Sequence, residues 1–200
     1  ELGTQMKSTG ETMSIGRTFE ESLMKAWRSI GQGEGFPEDL NWGEDKLKKK
    51  MRIPNDRRLI AIWNYLKLKG ASKRSINKVC EITEFHAFFI ERIASLVRLE
   101  IRAEEYTKAV PDAFLAKLKS NGFGDKHISH LTGISQGNLR NQRKKIGVVS
   151  SFLMVDTCAG EFEAKTPYFY STYSGQRRKV KTGKSIVILG SGPIRIGQGI

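Results

Sequence analysis

The chain has 200 residues, of which 38% are hydrophobic and 28% are charged, a balance typical of a globular protein with one or two domains. It contains no apolar run near the roughly 18 residues that a membrane span requires, and Cys80 and Cys158 form no Cys-x-x-Cys pair of the kind found in zinc or dithiol sites. The formal net charge of +13 fits either a polyanionic partner or helix surfaces covered by solvated lysines and arginines.

The first predicted helix covers residues 18–30. Thr18 and Glu21 form a capping-box pattern, and apolar residues follow at the spacing of one helical face. Closely spaced glycines end this helix. The next segment, 31–53, has the composition of a linker, with a short helix at its basic end.

Residues 54–146 predict a compact group of helices joined by short loops. We place Pro54 at the first position of one helix, where a missing N–H group costs nothing. Ser72 or Ser75 is expected to cap the next helix, and Thr83 is expected to cap a long third one. The apolar stripe of that third helix is assigned to the hydrophobic core: Phe85, Phe89, Ile93, Leu96 and Val97.

A fourth helix is expected to begin at Pro111, and two short helices follow at 125–131 and 135–146. The spacing of these two helices resembles a helix–turn–helix unit, with the skeleton Asp125, Ile128, Leu131, Gly133, Ile134 and Leu139. In a DNA-binding version the second helix would present side chains to base edges and phosphates: Gln136, Asn138, Arg140, Arg143, Lys144 and Lys145. A plain packing unit of two helices fits the same spacing.

Beyond Gly147 the composition favours extended structure. Residues 148–155 and 168–173 are rich in β-branched and aromatic side chains, and 185–189 is typical of a buried parallel strand. A glycine-rich turn follows that strand, with candidate phosphate-side residues Gly190, Gly192, Arg195 and Gly197. Arg195 breaks the dinucleotide fingerprint and Gln198 breaks the Walker pattern, so a phosphate-binding turn and a plain turn both remain possible.

The sequence contains no recognisable set of catalytic or metal-binding residues. His127 and His130 stand three residues apart, which can place two imidazoles on one helix face. No acidic or cysteine ligand stands at the offsets that a metal site needs. We therefore predict no catalytic residue and no metal ligand.

Several segments closely resemble the large chain of carbamoyl-phosphate synthetases. They occur in that family's order and cover both ends of the chain and its middle: 5–18, 54–58, 155–162, 166–173 and 189–200. The resemblance implies a piece cut at both ends from a longer chain, with a mainly α fold. A helical oligomerisation domain would be flanked by partial α/β segments of the ATP-grasp and pre-ATP-grasp type.

The implied organisation has five parts. They are the edge of the first ATP-grasp domain (1–30), a linker (31–53), the helical oligomerisation domain (54–150), an extended connector (151–184), and the first strand and glycine-rich loop of the second synthetase half (185–200).

The resemblance also implies a function. The parent enzyme would make carbamoyl phosphate from bicarbonate, ammonia released from glutamine, and two ATP, with Mg²⁺ or Mn²⁺, in arginine and pyrimidine biosynthesis. This piece would be a structural spacer and oligomerisation module without the ATP sites, inactive by itself. Its partners would be a glutaminase small subunit and a second copy of the chain. Membrane association is not expected, nucleic acid is disfavoured, and the low cysteine content fits the cytoplasm.

Overall fold

The computed structural model describes residues 12–30, 34–175 and 186. These residues form a mainly helical fold, which confirms the predicted fold class. The elements are α1 (Phe19–Ile30), α2 (Glu44–Arg52), α3 (Arg58–Leu68), α4 (Lys73–Thr83), α5 (Ala87–Glu104), α6 (Asp112–Ser120), α7 (Asp125–Thr132), α8 (Gln136–Lys145), β1 (Ser151–Met154) and β2 (Phe169–Thr172). None of the helices in this part of the chain combines the length and hydrophobicity needed to cross a bilayer.

The start of α1 is stabilised by its predicted cap. The Glu21 backbone N–H donates to Thr18 Oγ1 over 3.1 Å. The Glu21 carboxylate accepts from the Arg17 backbone N–H over 2.9 Å, one residue before the cap. These bonds satisfy donors that a helix N-terminus would otherwise leave unpaired, which explains why the helix begins here. Met24 on the inner face of α1 is fully buried.

Helix α2 belongs to the same hydrophobic core as the helices that follow it. Leu47 and Met51, the apolar residues of this basic segment, are 1% and 0% exposed, and α2 packs against α3 and α4. One core therefore includes side chains from Met24 of α1 to Leu139 of α8. The short helix expected here is confirmed, whereas the domain boundaries at residues 31 and 54 stay predictions.

Helix α3 begins at Arg58, and the prediction that Pro54 would open it is wrong. The intervening turn is held by Asn55, whose side-chain amide donates to the Lys50 carbonyl over 3.0 Å. The Asn55 side-chain oxygen Oδ1 accepts from the Arg57 backbone N–H over 2.8 Å. An asparagine that both ends one helix and closes a local turn delays the next helix, because its side chain replaces helical hydrogen bonds.

The sequence predicts the cap of α4 correctly but not the cap of α5. Ser72 caps α4 by accepting from the Ser75 backbone N–H over 3.3 Å, as expected. Thr83 does not cap α5: it is the last residue of α4, and its hydroxyl donates within α4 to the carbonyl four residues earlier. His86 caps α5 instead, because its Nδ1 accepts from the Phe88 backbone N–H over 3.3 Å.

The predicted extended segments form an antiparallel hairpin of β1 and β2, with Phe152 opposite Ser171 and Met154 opposite Phe169. The hairpin is tied to the helices, since the Ser174 hydroxyl donates to the carbonyl of Ser120 at the end of α6. The predicted strand at 185–189 lies outside the described residues, apart from Ile186.

Lys25 of α1 joins the beginning and the end of the described chain. Its ammonium group donates to the backbone carbonyl of Ile15 over 2.7 Å and to the backbone carbonyl of Ser171 in β2. The same group forms an ion pair with Glu21 at 3.5 Å. The segment that leads into α1 and the hairpin that follows α8 are therefore held against one helix.

Candidate self-association surface

Three phenylalanines at the start of α5 and just before it are exposed beside the helical core. Phe85, Phe88 and Phe89, here called the aromatic patch, are 41%, 47% and 46% exposed. The ring centroids of Phe88 and Phe89 lie 5.4 Å apart, and Phe19 of α1 lies 5.5 Å from Phe89. Phe88 and Phe89 therefore form a connected surface with Phe19 of α1, and Phe85 lies beside them in the sequence, just before α5.

The assignment of Phe85 and Phe89 to the core is wrong. The rest of the predicted stripe is buried, with Ile93 3% exposed and Leu96 and Val97 fully buried. Helix α5 packs against α3 and α4, yet in its first turn Phe88 and Phe89 stay exposed while Ile90 is fully buried. The helical periodicity did not include Phe88 in the apolar stripe. The occurrence of three phenylalanines within five residues is the sequence feature that indicates an exposed aromatic surface.

Two arginines hold the aromatic patch in place. The Arg58 guanidinium lies 4.6 Å from the Phe85 ring centroid and donates to two backbone carbonyls, each over 2.7 Å. The Arg92 guanidinium lies 5.6 Å from the Phe88 ring centroid and pairs with Glu20 of α1 at 3.4 Å. These contacts restrict the rings, so little side-chain entropy remains to be lost when a partner covers them.

The composition of this surface is that of a protein–protein contact. Aromatic residues and arginine are enriched at interface hot spots, where each large truncation costs about 2 kcal/mol or more. Contiguous exposed apolar patches on a folded domain mark interaction sites more often than scattered apolar residues do. The aromatic patch therefore has the composition of a surface that binds another protein.

The two helices of the possible helix–turn–helix unit are present. Ile128 and Leu139 are fully buried, and Gly133 adopts a φ of +73° at the turn between α7 and α8. Five of the side chains expected to contact DNA are exposed on α8: Gln136, Asn138, Arg140, Lys144 and Lys145. Arg143, assigned to phosphate contact, is instead paired with Asp125 at 3.0 Å and is largely buried. Arg143 therefore joins α8 to α7 within the domain and is not available for contact with DNA.

The histidine pair lies against aromatic rings. His127 stacks on Phe36 with ring centroids 4.5 Å apart, and Phe123 covers the imidazole at 4.9 Å. His130 lies 4.9 Å from Phe36. Across residues 12–30, 34–175 and 186, no group of three or more histidine, cysteine, aspartate or glutamate side chains could hold a metal ion. The candidate turn residues Gly190, Gly192, Arg195 and Gly197 lie outside the described residues.

A buried carboxylate, Glu100 of α5, connects α5 with α3 and α7. Glu100 of α5 is 1% exposed and accepts from Trp63 Nε1 over 3.2 Å. Its carboxylate also lies 2.9 Å from Lys67 Nζ and 3.3 Å from His127 Nε2. Burial raises the pKa of Glu100, but the hydrogen bond and charge of His127, together with Lys67, bring this pKa below its usual value.

A family model described as "Carbamoyl-phosphate synthetase large chain, oligomerisation domain" matches residues 11–147. Proteins named "Carbamoyl phosphate synthase large chain" from Methanosarcina barkeri and Methanobrevibacter smithii are each 43% identical to the chain, and one from Methanosarcina mazei is 44% identical. Each of these alignments covers 100% of this chain and 18% of the relative.

These comparisons do not support the nucleic-acid alternative. The family match covers α1 to α8 together, so it includes both the aromatic patch and the two short helices that resemble a helix–turn–helix. The matched region and the helical architecture agree with each other and with the resemblance in the sequence motifs. The chain belongs to the oligomerisation-domain family of carbamoyl-phosphate synthetase large chains.

Proposed function

We propose that this chain is the central segment of the large subunit of a glutamine-dependent carbamoyl-phosphate synthase, where it serves as a spacer and self-association module. The observation that carries the proposal is the family match to residues 11–147. The similarity of the whole chain to relatives of which it spans only 18% supports its place as a part of a longer enzyme.

The parent enzyme would be an ATP-dependent ligase of the cytoplasm that supplies carbamoyl phosphate to arginine and pyrimidine biosynthesis. It would use bicarbonate, two ATP and ammonia released from glutamine by a separate small subunit. The ATP and its Mg²⁺ or Mn²⁺ would bind to parts of the enzyme other than the described helices. Among residues 12–30, 34–175 and 186 there is no group of three or more histidine, cysteine, aspartate or glutamate side chains that could hold a metal ion.

The 200-residue chain is therefore expected to show no ATP hydrolysis above the uncatalysed rate. Phosphate release in the presence of ATP and Mg²⁺ measures this directly, with a heat-denatured sample as the control. Turnover that co-purifies with the chain and disappears on its denaturation would contradict the assignment of the ATP sites to other parts of the enzyme.

We infer that self-association occurs through the aromatic patch. The family description supports association of like chains, and the patch supplies exposed rings together with anchored arginines. Covering a phenylalanine that is exposed in the monomer gains about 25 cal/mol per Å² of apolar surface. In a symmetric dimer each patch would face its own copy, so every contact would be made twice.

Substitution of two rings of the patch tests this inference. Phe88→Ser combined with Phe89→Ser is expected to raise the dimer dissociation constant by at least about 30-fold, because loss of these rings from the interface costs at least about 2 kcal/mol in total. Sedimentation equilibrium over a concentration series measures the constant. Phe162→Ser is the matched control, because Phe162 is 75% exposed and lies outside the helices.

The control variant is expected to associate like the unsubstituted chain. A chain that stays strictly monomeric at the highest concentrations would count against self-association itself. Dimers that persist unchanged in the double variant would instead place the interface elsewhere on the domain.

A further inference from the structure

A cleft opens between α2, the end of α3 and the first turns of α4, on a part of the surface that the proposed function does not use. Its volume is about 560 Å³, within the range of about 300–1,000 Å³ that small-molecule sites occupy. Its charged lining residues are Lys48, Lys69, Arg74, Lys78, Glu44 and Glu81. Four cations thus face two carboxylates.

Both carboxylates in the cleft are already engaged by lysines. Glu44 lies 2.6 Å from Lys48 Nζ and 2.5 Å from Lys69 Nζ, and Glu81 lies 2.9 Å from Lys78 Nζ. The hydrogen bonds from Lys48 and Lys69 lower the pKa of Glu44 to about 2. Glu44 is therefore ionised at neutral pH and holds the two lysines at one wall of the cleft.

The opposite wall carries a cation without a counter-charge. Arg74, in the first turn of α4, forms no ion pair or hydrogen bond through its side chain with any residue that the structure describes. Its guanidinium can present two parallel N–H groups to an oxyanion. The first turn of α4 also contains Lys73 and no acidic residue, so the positive end of this helix adds to the positive potential of the wall.

A second cavity continues the cleft along α2 and α4. Its volume is about 430 Å³, and it shares Lys48, Lys78 and Glu81 with the first. It adds Arg52, which likewise has no ion-pair partner among residues 12–30, 34–175 and 186, and Glu84. The two cavities together are lined by five cations and three carboxylates. This net positive charge suits a ligand with several negative charges more than a single monovalent anion.

From these observations we propose that the cleft between α2 and α4 binds a multiply charged, phosphate-bearing small molecule. Lys48 and Lys69 would contact it from one wall, and Arg74 and Lys78 from the other. Phosphoryl oxygens match this arrangement, because each accepts several charge-assisted hydrogen bonds and a chain of them can span both walls. The proposal does not depend on the role of the domain in a larger enzyme.

Isothermal titration calorimetry of the 200-residue chain with inorganic tripolyphosphate, and separately with ATP, tests the proposal. Equal affinity for both probes would show that the phosphate chain alone is recognised, whereas tighter binding of ATP would add a nucleoside contact. Absence of binding by either probe at millimolar concentration and low salt would overturn the proposal.

Variants separate this site from the general positive charge of the chain. Arg74→Ala combined with Lys78→Ala is expected to weaken tripolyphosphate binding by at least about tenfold. Lys144→Ala combined with Lys145→Ala removes the same charge from exposed positions on α8 and is expected to change affinity by less than about twofold. Equal weakening in the two double variants would show diffuse attraction and overturn the proposal.

Glu81→Gln supplies a test in the opposite direction. It frees Lys78 from its carboxylate partner and removes one negative charge from both cavities, so tripolyphosphate is expected to bind about threefold more tightly. Unchanged or weaker binding by this variant, with an unchanged thermal unfolding midpoint, would contradict the proposed position of the ligand.

Discussion

Replacing Glu100 with alanine is expected to lower the free energy of unfolding by about 3–5 kcal/mol, a large fraction of the roughly 5–15 kcal/mol typical of a domain. The carboxylate accepts from Trp63 Nε1 and lies within hydrogen-bond distance of His127 Nε2, and both of these donors are buried. Without Glu100 they lose this acceptor, and unpaired buried donors are expensive. Urea denaturation followed by tryptophan fluorescence measures the change.

Glu104 provides a matched control on the same helix. Its carboxylate lies 2.8 Å from Lys67 Nζ, whereas that of Glu100 lies 2.9 Å from the same atom. The Glu104 side chain is 40% exposed, however, whereas that of Glu100 is 2% exposed. Glu104→Ala is therefore expected to cost less than about 1 kcal/mol, because solvent screens exposed pairs. Similar losses in the two variants would contradict the importance of burial in this network.

The same carboxylate makes stability depend on pH. The pKa of Glu100 is lower in the folded protein than its ordinary value of 4.5, so its contribution is fully present above that value and is lost as pH falls through the folded pKa. The free energy of unfolding of the unsubstituted chain is expected to decline on acidification below about pH 4.5. Glu100→Gln, which cannot ionise, should show a shallower decline over that interval.

Substitution of Gly122 by alanine is the second change with a large expected effect. Gly122 follows α6 with a φ of +88°, and a Cβ atom placed there would lie 2.9 Å from Met24 Cβ and 3.1 Å from the Glu21 carbonyl oxygen. The left-handed conformation costs about 1–2 kcal/mol for a residue with a side chain. The steric conflict with the backbone of α1 adds about 1–3 kcal/mol.

Gly70 isolates the steric part of that loss. It has a φ of +66°, and no atom lies within 4 Å of a Cβ placed there. Gly70→Ala should therefore carry only the conformational cost of about 1–2 kcal/mol. The difference between the two variants, measured by chemical denaturation, reports the close approach of α1 to the end of α6. If both substitutions cost the same, α1 does not pack as tightly there as the structure indicates.

Local signals predicted the parts of the fold that local chemistry decides. The caps at Thr18 and Ser72 follow from short side chains placed just before apolar periodicity, and both are present. Competing local bonds explain the failures. Asn55 delays α3, and His86 takes the capping role assigned to Thr83, because the hydroxyl of Thr83 bonds within α4 instead.

The two candidate surfaces were harder to predict because they depend on tertiary packing. Phe89 and Ile93 share a helical face in the sequence pattern, yet Phe89 is 46% exposed and Ile93 is 3% exposed. Periodicity identifies an apolar face but not the length over which neighbouring helices cover it. Similarly, nothing in the spacing of Lys48 and Arg74 indicates that α2 and α4 would place them around one cleft.

The position of Lys25 has a consequence for how the flanking segments respond to one another. One ammonium group contacts the carbonyls of both Ile15 and Ser171. The backbone that enters α1 and strand β2 beyond α8 are therefore held close together, and the helices lie in the chain between these two points. The Lys25 contacts fix the distance between these two backbone segments, independently of the number of helices between them. A displacement of the helices would therefore be passed to both backbone segments together, through the side chain of Lys25.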